Sequence, residues 1–428
     1  MDTVFALASA QGRAGVSVIR ISGHTAWAVA EHLCGALPEP RKSAVRFIRS
    51  QDGTVIDQAL VLAFKGPHSF TGEDVVEFHV HGSIAVVRAI LAELSDQGSA
   101  RMAEAGEFTR RALENGKLDL SQVEGLADLI DAETEAQRKQ AVRVLTGSLG
   151  DKVEIWRTKL IRAAALIEAT IDFADEDVPV DVTPEVTSLL KDVSCDIESE
   201  IAGTHVAERI RSGFEVALVG APNAGKSTLL NKLSGRDAAI TSEIAGTTRD
   251  VIEVRMDLGG LPVTFLDTAG LRQSTDEIEK IGIERAIARA RDADLRVFLS
   301  KPSEKLLIDP VEDDIQLIPK VDLLPETDLG ISGKTGQGIP ELLEKIGTIF
   351  GKRVSGVGLA THERHRFAMQ RALKDLDNSF DALLRGPEFY DITAQELRSA
   401  IRSLETLVGR IDAENLLDEI FSSFCLGK

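Results

Sequence analysis

The sequence predicts a multidomain chain: an α+β region first, an all-α region next, and an α/β domain inserted within the all-α one. Three observations carry this. Apolar residues alternate in short runs up to about residue 117. They recur at three- and four-residue intervals over about 118–212, and again from about 358 to the end. Between 213 and 357, buried-strand runs take turns with short helical ones. Because helical character returns after that stretch, the economical division is 1–117, then 118–212 joined with 358–428, with 213–357 as the insertion.

Each element follows from its residues. GVSVIRISG alternates like a half-buried strand, and VRFIRS and VIDQALVLAF read as two strands about an Asp52-Gly53 turn. AVVRAILAELSDQG has helical spacing. The run from SQVEGLADLID to RAAALIEATI is helical with few breakers, until the acidic DFADEDVPVDVTPE interrupts it with two prolines. In the inserted stretch, FEVALVG, LPVTFLD and DLRVFLS are strand runs and STLLNKLSG and DEIEKIGIERAIARARDA helical ones, the pattern of a doubly wound parallel sheet. RSGF and SGVGLA mark the two crossings.

Bulk properties narrow the function. The 428 residues leave room for about three domains at roughly 150 residues each. A net charge of −19, from 49 basic and 68 acidic residues, argues against a free-standing nucleic-acid binder with a broad basic face. Aromatic content of 4% argues against a base-stacking platform. Cys34, Cys195 and Cys425 lie far apart with no CxxC spacing, against a disulfide framework or a structural zinc site and in keeping with a reducing cytoplasm. MDTVFALASAQGR has no basic segment before its apolar stretch, and no apolar run approaches the roughly 20 residues of a membrane span. A cytoplasmic protein without membrane attachment is the expectation.

After the strand FEVALVG stands Gly220-Ala221-Pro222-Asn223-Ala224-Gly225-Lys226-Ser227, a complete G-x-x-x-x-G-K-S with a helix behind it. Its glycines let successive N–H groups face phosphate oxygens, Lys226 reaches the terminal phosphates, and Ser227 is a Mg²⁺ ligand. Asp267-Thr268-Ala269-Gly270 closes the strand VTFLD, bringing a carboxylate near the metal and a glycine N–H near the third phosphate. Ala245-Gly246-Thr247-Thr248-Arg249-Asp250 offers a threonine to the Mg²⁺ shell when that phosphate is present. Pro319-Lys320-Val321-Asp322 stands in the place of an NKxD guanine-reading segment, with Ser332-Gly333-Lys334 as its supporting loop. Pro319 replaces the asparagine and lacks its side-chain hydrogen bonds; Asp322 carries the preference for guanine. Leu271 occupies the position of the water-orienting glutamine of Ras-like enzymes. Asn223 is therefore a candidate ligand for a monovalent cation, K⁺, in place of an arginine finger. Glu279 is either the acid that orients water or simply a solvated helix carboxylate.

GAPNAGKSTLLNKLSGRDAAITSEIAGTTRDVIEV, FLDTAGLR and DEIEKIGIERA, with the N-terminal GVSVIRISG, TGEDVVEFHVHGS and AEAGEFTRRALENGKLDLSQVEGLADLIDAET and the terminal FCLGK, resemble the MnmE (TrmE) family of tRNA-modifying GTPases over nearly the whole chain. The resemblance implies a tetrahydrofolate-binding-like, dimerising N-terminal domain, a helical domain, and a GTPase domain inserted in it. It implies a K⁺-stimulated GTPase that forms a homodimer and works with an MnmG-type FAD protein on tRNA. The product is an aminomethyl or carboxymethylaminomethyl group on carbon 5 of the wobble uridine, and a tetrahydrofolate derivative (5-formyl or methylene) supplies the one-carbon unit. The rival reading is a GTP-dependent RNA or ribosome-assembly factor without one-carbon chemistry.

Residue by residue, the resemblance puts GTP contacts on Asn223, Ala224, Gly225, Lys226, Ser227 and Thr228, and on Ser242, Glu243, Ile244, Ala245, Gly246, Thr247 and Thr248. Asp267, Thr268, Ala269, Gly270, Lys320 and Asp322 complete that set. It implies K⁺ bound by Asn223, Ser242, Ile244 and Thr247, Mg²⁺ by Ser227 and Thr248, and Glu279 as the water-orienting acid. Arg20, Glu77, Lys117 and Lys428 match its folate contacts, and Cys425 is a candidate for the one-carbon chemistry. Glu77, His79 and His81 also share one strand face, but one strand rarely converges three ligands on a metal. Cys425-Leu426-Gly427-Lys428 is not a prenylation box, because Gly427 and Lys428 stand where such a box needs other residues and no polybasic segment precedes it.

Overall fold

The computed structural model describes residues 2–172, 181–236, 238–240, 253–267, 287–301, 304, 306, 308–324, 330–354, 357–410, 421 and 427. The chain divides into two compact units: Met1–Ala127 with Leu404–Lys428, and Asp128–Ser403.

The first unit is built on a six-stranded sheet. Its strands are β1 (Val4–Leu7), β2 (Ala14–Ser22), β3 (Ser43–Arg49), β4 (Val55–Phe64), β5 (Val75–Gly82) and β6 (Arg101–Met102), in the order β3-β4-β5-β2-β1-β6. GVSVIRISG is the strand its alternation predicts, and Gly53, at φ +84°, turns β3 into β4. Helices α1 (Ala26–Cys34) and α2 (Ile84–Asp96) cover one face, where Ile19, Ile21, Phe78 and Val80 pack against Val29, Leu33, Ile90 and Leu94. Fully burying each such side chain stabilises by about 1.5–3 kcal/mol. Helix α3 (Glu107–Glu114) follows, its Phe108 packed on Val4 and Ala6, and α4 (Leu120–Ile130) comes next.

The second unit carries helices α5 (Glu135–Leu145), α6 (Ser148–Asp172) and α7 (Thr183–Ser212) before a second six-stranded sheet. Thr134 opens α5 with a capping box to Gln137, and Pro184 sits in the first turn of α7. The sheet strands are β7 (Phe214–Gly220), β8 (Glu253–Leu258), β9 (Leu261–Asp267), β10 (Leu295–Leu299), β11 (Ile315–Pro319) and β12 (Gly330–Ile331), ordered β12-β11-β10-β7-β9-β8. Helix α8 (Lys226–Ser234) follows β7, α9 (Ile339–Arg353) follows β12, and α10 (Glu363–Arg385) and α11 (Tyr390–Glu405) complete the helical part.

One detail departs from an all-parallel sheet: β8 runs antiparallel to β9. The reason is local. Gly259 and Gly260 both hold positive φ, +64° and +89°, and a two-residue turn with two left-handed positions closes a hairpin rather than a crossover. The remaining strand pairs of this sheet are parallel.

Candidate functional site: a phosphate loop and a polar cluster

Strand β7 is buried along nearly its whole length, so the chain leaves it at the sheet's C-terminal edge and must turn at once into α8. Asn223 (φ +64°) and Gly225 (φ +104°) make that turn, both in the left-handed region. At its centre Lys226, 4% exposed, donates from Nζ to the carbonyls of Gly220 (2.7 Å) and Ala221 (3.2 Å). Burial pushes the Lys226 pKa down, opposed by the nearby Asp267 carboxylate. Ser227 Oγ donates to Asp267 Oδ2 at 2.8 Å. The other oxygen, Asp267 Oδ1, is buried with no hydrogen-bond partner among the described residues. A buried, unpartnered carboxylate oxygen beside a hydroxyl is the donor chemistry of a hard divalent cation, so these residues fit Mg²⁺.

The loop borders two adjoining cavities. One, of about 410 Å³, is lined by Pro222, Asn223, Ala224, Gly225, Lys226, Ser227, Thr228 and Lys320. The other, of about 270 Å³, shares Ala224, Gly225, Thr228 and Lys320 and adds Pro319, Asp322, Ser332, Gly333 and Lys334. Ser332 Oγ donates to Asp322 Oδ1 at 2.7 Å and accepts the Thr335 N–H at 3.2 Å, which fixes the carboxylate in the second cavity. Gly333 is required by close approach: a Cβ there would lie 2.7 Å from the Leu229 nitrogen in α8.

In the first unit Arg20 stands opposite Glu77 across the β2–β5 ladder, and its Nε donates to Glu77 Oε1 at 2.9 Å. His79 Nε2 lies 3.3 Å from Glu77 Oε2. The Arg20 guanidinium also sits over the rings of Phe70 (5.3 Å) and Phe108 (5.6 Å). Lys117 lies against the loop between β4 and β5: a Cβ on Gly72 would meet Lys117 Cε at 3.2 Å. His81 pairs with Asp57 at 2.8 Å, away from Glu77, and among the described residues no group of three His, Cys, Asp or Glu side chains is placed to hold a metal. Near the chain's end, Phe421 packs on Val123 with Arg110 over its ring at 5.1 Å, and a Cβ on Gly427 (φ +93°) would collide with Leu7 O.

Residues 3–117 match the family model described as "GTP-binding protein TrmE N-terminus", and residues 120–425 that of the "MnmE helical domain". A protein of Roseobacter denitrificans named tRNA modification GTPase MnmE is 86% identical over the full length of both chains. The chain belongs to the MnmE family of tRNA modification GTPases. A second MnmE, from Ruegeria pomeroyi, is 60% identical, again over all of both chains. The solved structure of Aquifex aeolicus Era with GDP·AlF4⁻ covers 31% of this chain and 56% of its own at 27% identity, with a TM-score of 0.26, too low to bear on the fold.

Against the residues expected from the MnmE resemblance, the structure brings Asn223, Ala224, Gly225, Lys226, Ser227 and Thr228 together with Lys320 around one cavity, and Asp322 around its neighbour. Asp267 joins them through Ser227, and Arg20 and Glu77 meet in the N-terminal sheet. Ser242, Glu243, Ile244, Ala245, Gly246, Thr247, Thr248, Thr268, Ala269, Gly270, Glu279, Cys425 and Lys428 lie outside the described residues. Two features were not anticipated. Phe70 and Phe108 flank Arg20, a pairing between residues far apart in sequence. Arg111 is 4% exposed at its side chain and binds Glu73, Glu107 and Asp2, holding the 66–74 loop against α3. An arginine in an amphipathic helix reads as surface until the fold buries it. No described helix is long and apolar enough to cross a membrane.

Proposed function

We propose that this chain hydrolyses GTP, with K⁺ stimulation, to drive addition of an aminomethyl or carboxymethylaminomethyl group to carbon 5 of the wobble uridine of certain tRNAs. The observation that carries the nucleotide half is the buried Lys226 beside the Ser227–Asp267 pair, with Asp267 Oδ1 left for a cation. Ser227 and Thr248 would hold Mg²⁺, with Asp267 beside Ser227; that ion would supply neutralisation of the phosphate charge. Lys226 is already desolvated, so its ammonium meets phosphate oxygens without first shedding a full hydration shell. Asn223, with Ser242, Ile244 and Thr247, would hold K⁺, which supplies the positive charge that an arginine finger gives other GTPases. Glu279 orients the attacking water, since Leu271 has no hydrogen-bonding group. Asp322 accepts from the donor edge of guanine.

For the one-carbon half, Arg20, Glu77, Lys117 and Lys428 would bind a tetrahydrofolate derivative (5-formyl or methylene), which supplies the carbon unit. Arg20 and Glu77 are 20% and 16% exposed at their side chains, so a ligand reaches them, and each Glu77 oxygen keeps a lone pair for a guanidine-like pterin edge. Gly427 supports this reading: it lies against Leu7, next to Ala6, the cross-strand neighbour of Arg20. Cys425 takes part in the chemistry.

The division proposed is 1–117, 118–212 with 358–428, and 213–357. A homodimer is supported by the N-terminal sheet, where Val16, Val45 and Phe47 are at least half exposed. An MnmG-type flavoprotein and tRNA complete the assembly, in the cytoplasm. The test is the modification state of tRNA wobble uridines in cells lacking this chain. Loss of the carbon-5 substituent is expected; a normal uridine pattern would overturn the reading.

A further inference from the structure

The second cavity has an asymmetry that its residues explain. One wall presents a fixed acceptor: the Asp322 carboxylate, its Oδ1 held by Ser332. The same cavity is bordered by Pro319, the last residue of β11, opposite Ile331 of β12. Proline has no N–H and no side-chain donor. Leu229, Leu299, Leu323 and Ile331 add apolar lining; besides Ser332, which is engaged with Asp322, the side chains there that can donate are those of Thr228, Lys320 and Lys334. Asp322 and those three are all exposed to solvent, where a neutral or unfixed hydrogen bond to a base only replaces one to water; Asp322 differs in being a charged acceptor held in place by Ser332.

A guanine base presents two unlike edges. N1–H and the 2-amino group donate; N7 and O6 accept. The pocket has a preorganised partner for the first edge and, at residue 319, an apolar ring where an asparagine would offer a donor. We propose that Pro319 makes this site blind to N7: the base is selected through its donor edge by Asp322 alone, and guanine nucleotides altered at position 7 are accepted as substrates. The inference rests on the guanine-nucleotide reading given above and names the part of the base that reading leaves undetermined. The physical ground is the cost asymmetry of polar burial. A site that leaves a buried donor unpaired rejects an analogue, whereas a proline ring has no donor to strand and packs as well on C7–H as on N7.

The experiment uses the full chain with Mg²⁺ and K⁺. It compares Kd and turnover for GTP, 7-deaza-GTP and inosine triphosphate, which lacks the 2-amino group. We expect 7-deaza-GTP within about threefold of GTP, and inosine triphosphate weaker by about tenfold, the scale of one hydrogen bond to a charged group. A 7-deaza-GTP penalty of about tenfold or more overturns the proposal. Pro319→Asn should tighten GTP while leaving 7-deaza-GTP unchanged, creating a preference of several-fold. If both nucleotides keep equal affinity in that variant, residue 319 is not the determinant. Failure of GTP itself to bind the native chain removes the guanine reading and this proposal with it, a result distinct from GTP binding with a 7-deaza penalty.

Discussion

Asn223 holds φ at +64° in the tightest part of the phosphate loop. Left-handed backbone costs a residue with a side chain roughly 1–2 kcal/mol, and asparagine is one of the few that offset it by local hydrogen bonding. The position therefore tolerates asparagine or glycine on backbone grounds, and the choice between them rests on the carboxamide. This makes Asn223→Gly a cleaner probe than an alanine substitution, because it removes the cation ligand without straining the turn. Replacing it should abolish the advantage of K⁺ over Na⁺ in phosphate release while changing GTP affinity less than about threefold. An unchanged K⁺/Na⁺ ratio would take Asn223 out of the cation site.

Helix α3 has polar residues buried on its inner side, and its docking depends on charge. Arg101 donates to both Glu107 oxygens, at 2.9 and 2.7 Å, and Arg111 Nη2 donates to Glu107 Oε1 at 2.7 Å. Burial by itself would raise the Glu107 carboxyl; hydrogen bonds from Arg101, the Glu104 N–H and Arg111 outweigh it and hold the pKa below the ordinary glutamate value. A depressed carboxyl pKa contributes stability that is complete above the unfolded value of about 4.3 and drains away as pH falls through the folded one. Glu107→Gln should thus lose roughly 2 kcal/mol at pH 7 and show a shallower further loss on acidification than the native chain. Hydrogen exchange of the 101–114 segment across a pH series measures both. Parallel acid profiles for variant and native chain would mean that Glu107 does not report this network.

At the scale of the molecule, the two halves of the proposed activity stand on separate hydrophobic cores. Ile19, Phe78 and their neighbours support the Arg20–Glu77 pair, and Val216, Leu218 and Phe265 support the phosphate loop. Changes at one should leave the other's binding intact. Glu77→Gln is expected to weaken 5-formyltetrahydrofolate about tenfold or more, by losing a charge-assisted acceptor, with GTP turnover in the unpartnered protein within about twofold of native. Equilibrium dialysis with the folate and a phosphate-release assay read the two separately, and unaltered folate affinity would remove Glu77 from that site.

Motifs whose chemistry is local were legible in the residues alone. GAPNAGKS must bend after a buried strand and expose its amides, and the Asp52-Gly53 turn and the helical spacing of STLLNKLSG need only near neighbours. The sequence by itself therefore determined the order of α+β, helical and α/β regions, the phosphate loop, and Pro319 in the base-reading segment. The antiparallel β8 turns on Gly259-Gly260, whose paired left-handed positions make a hairpin where the strand–helix alternation around it points to a crossover. Tertiary structure decided what depends on distance along the chain. It alone set Phe70 and Phe108 around Arg20, buried Arg111 among three carboxylates, locked Asp322 with Ser332, and left Asp267 Oδ1 without a partner among the described residues. Burial and hydrogen-bond satisfaction are properties of packed surroundings, which a residue acquires only when segments far apart in sequence close around it.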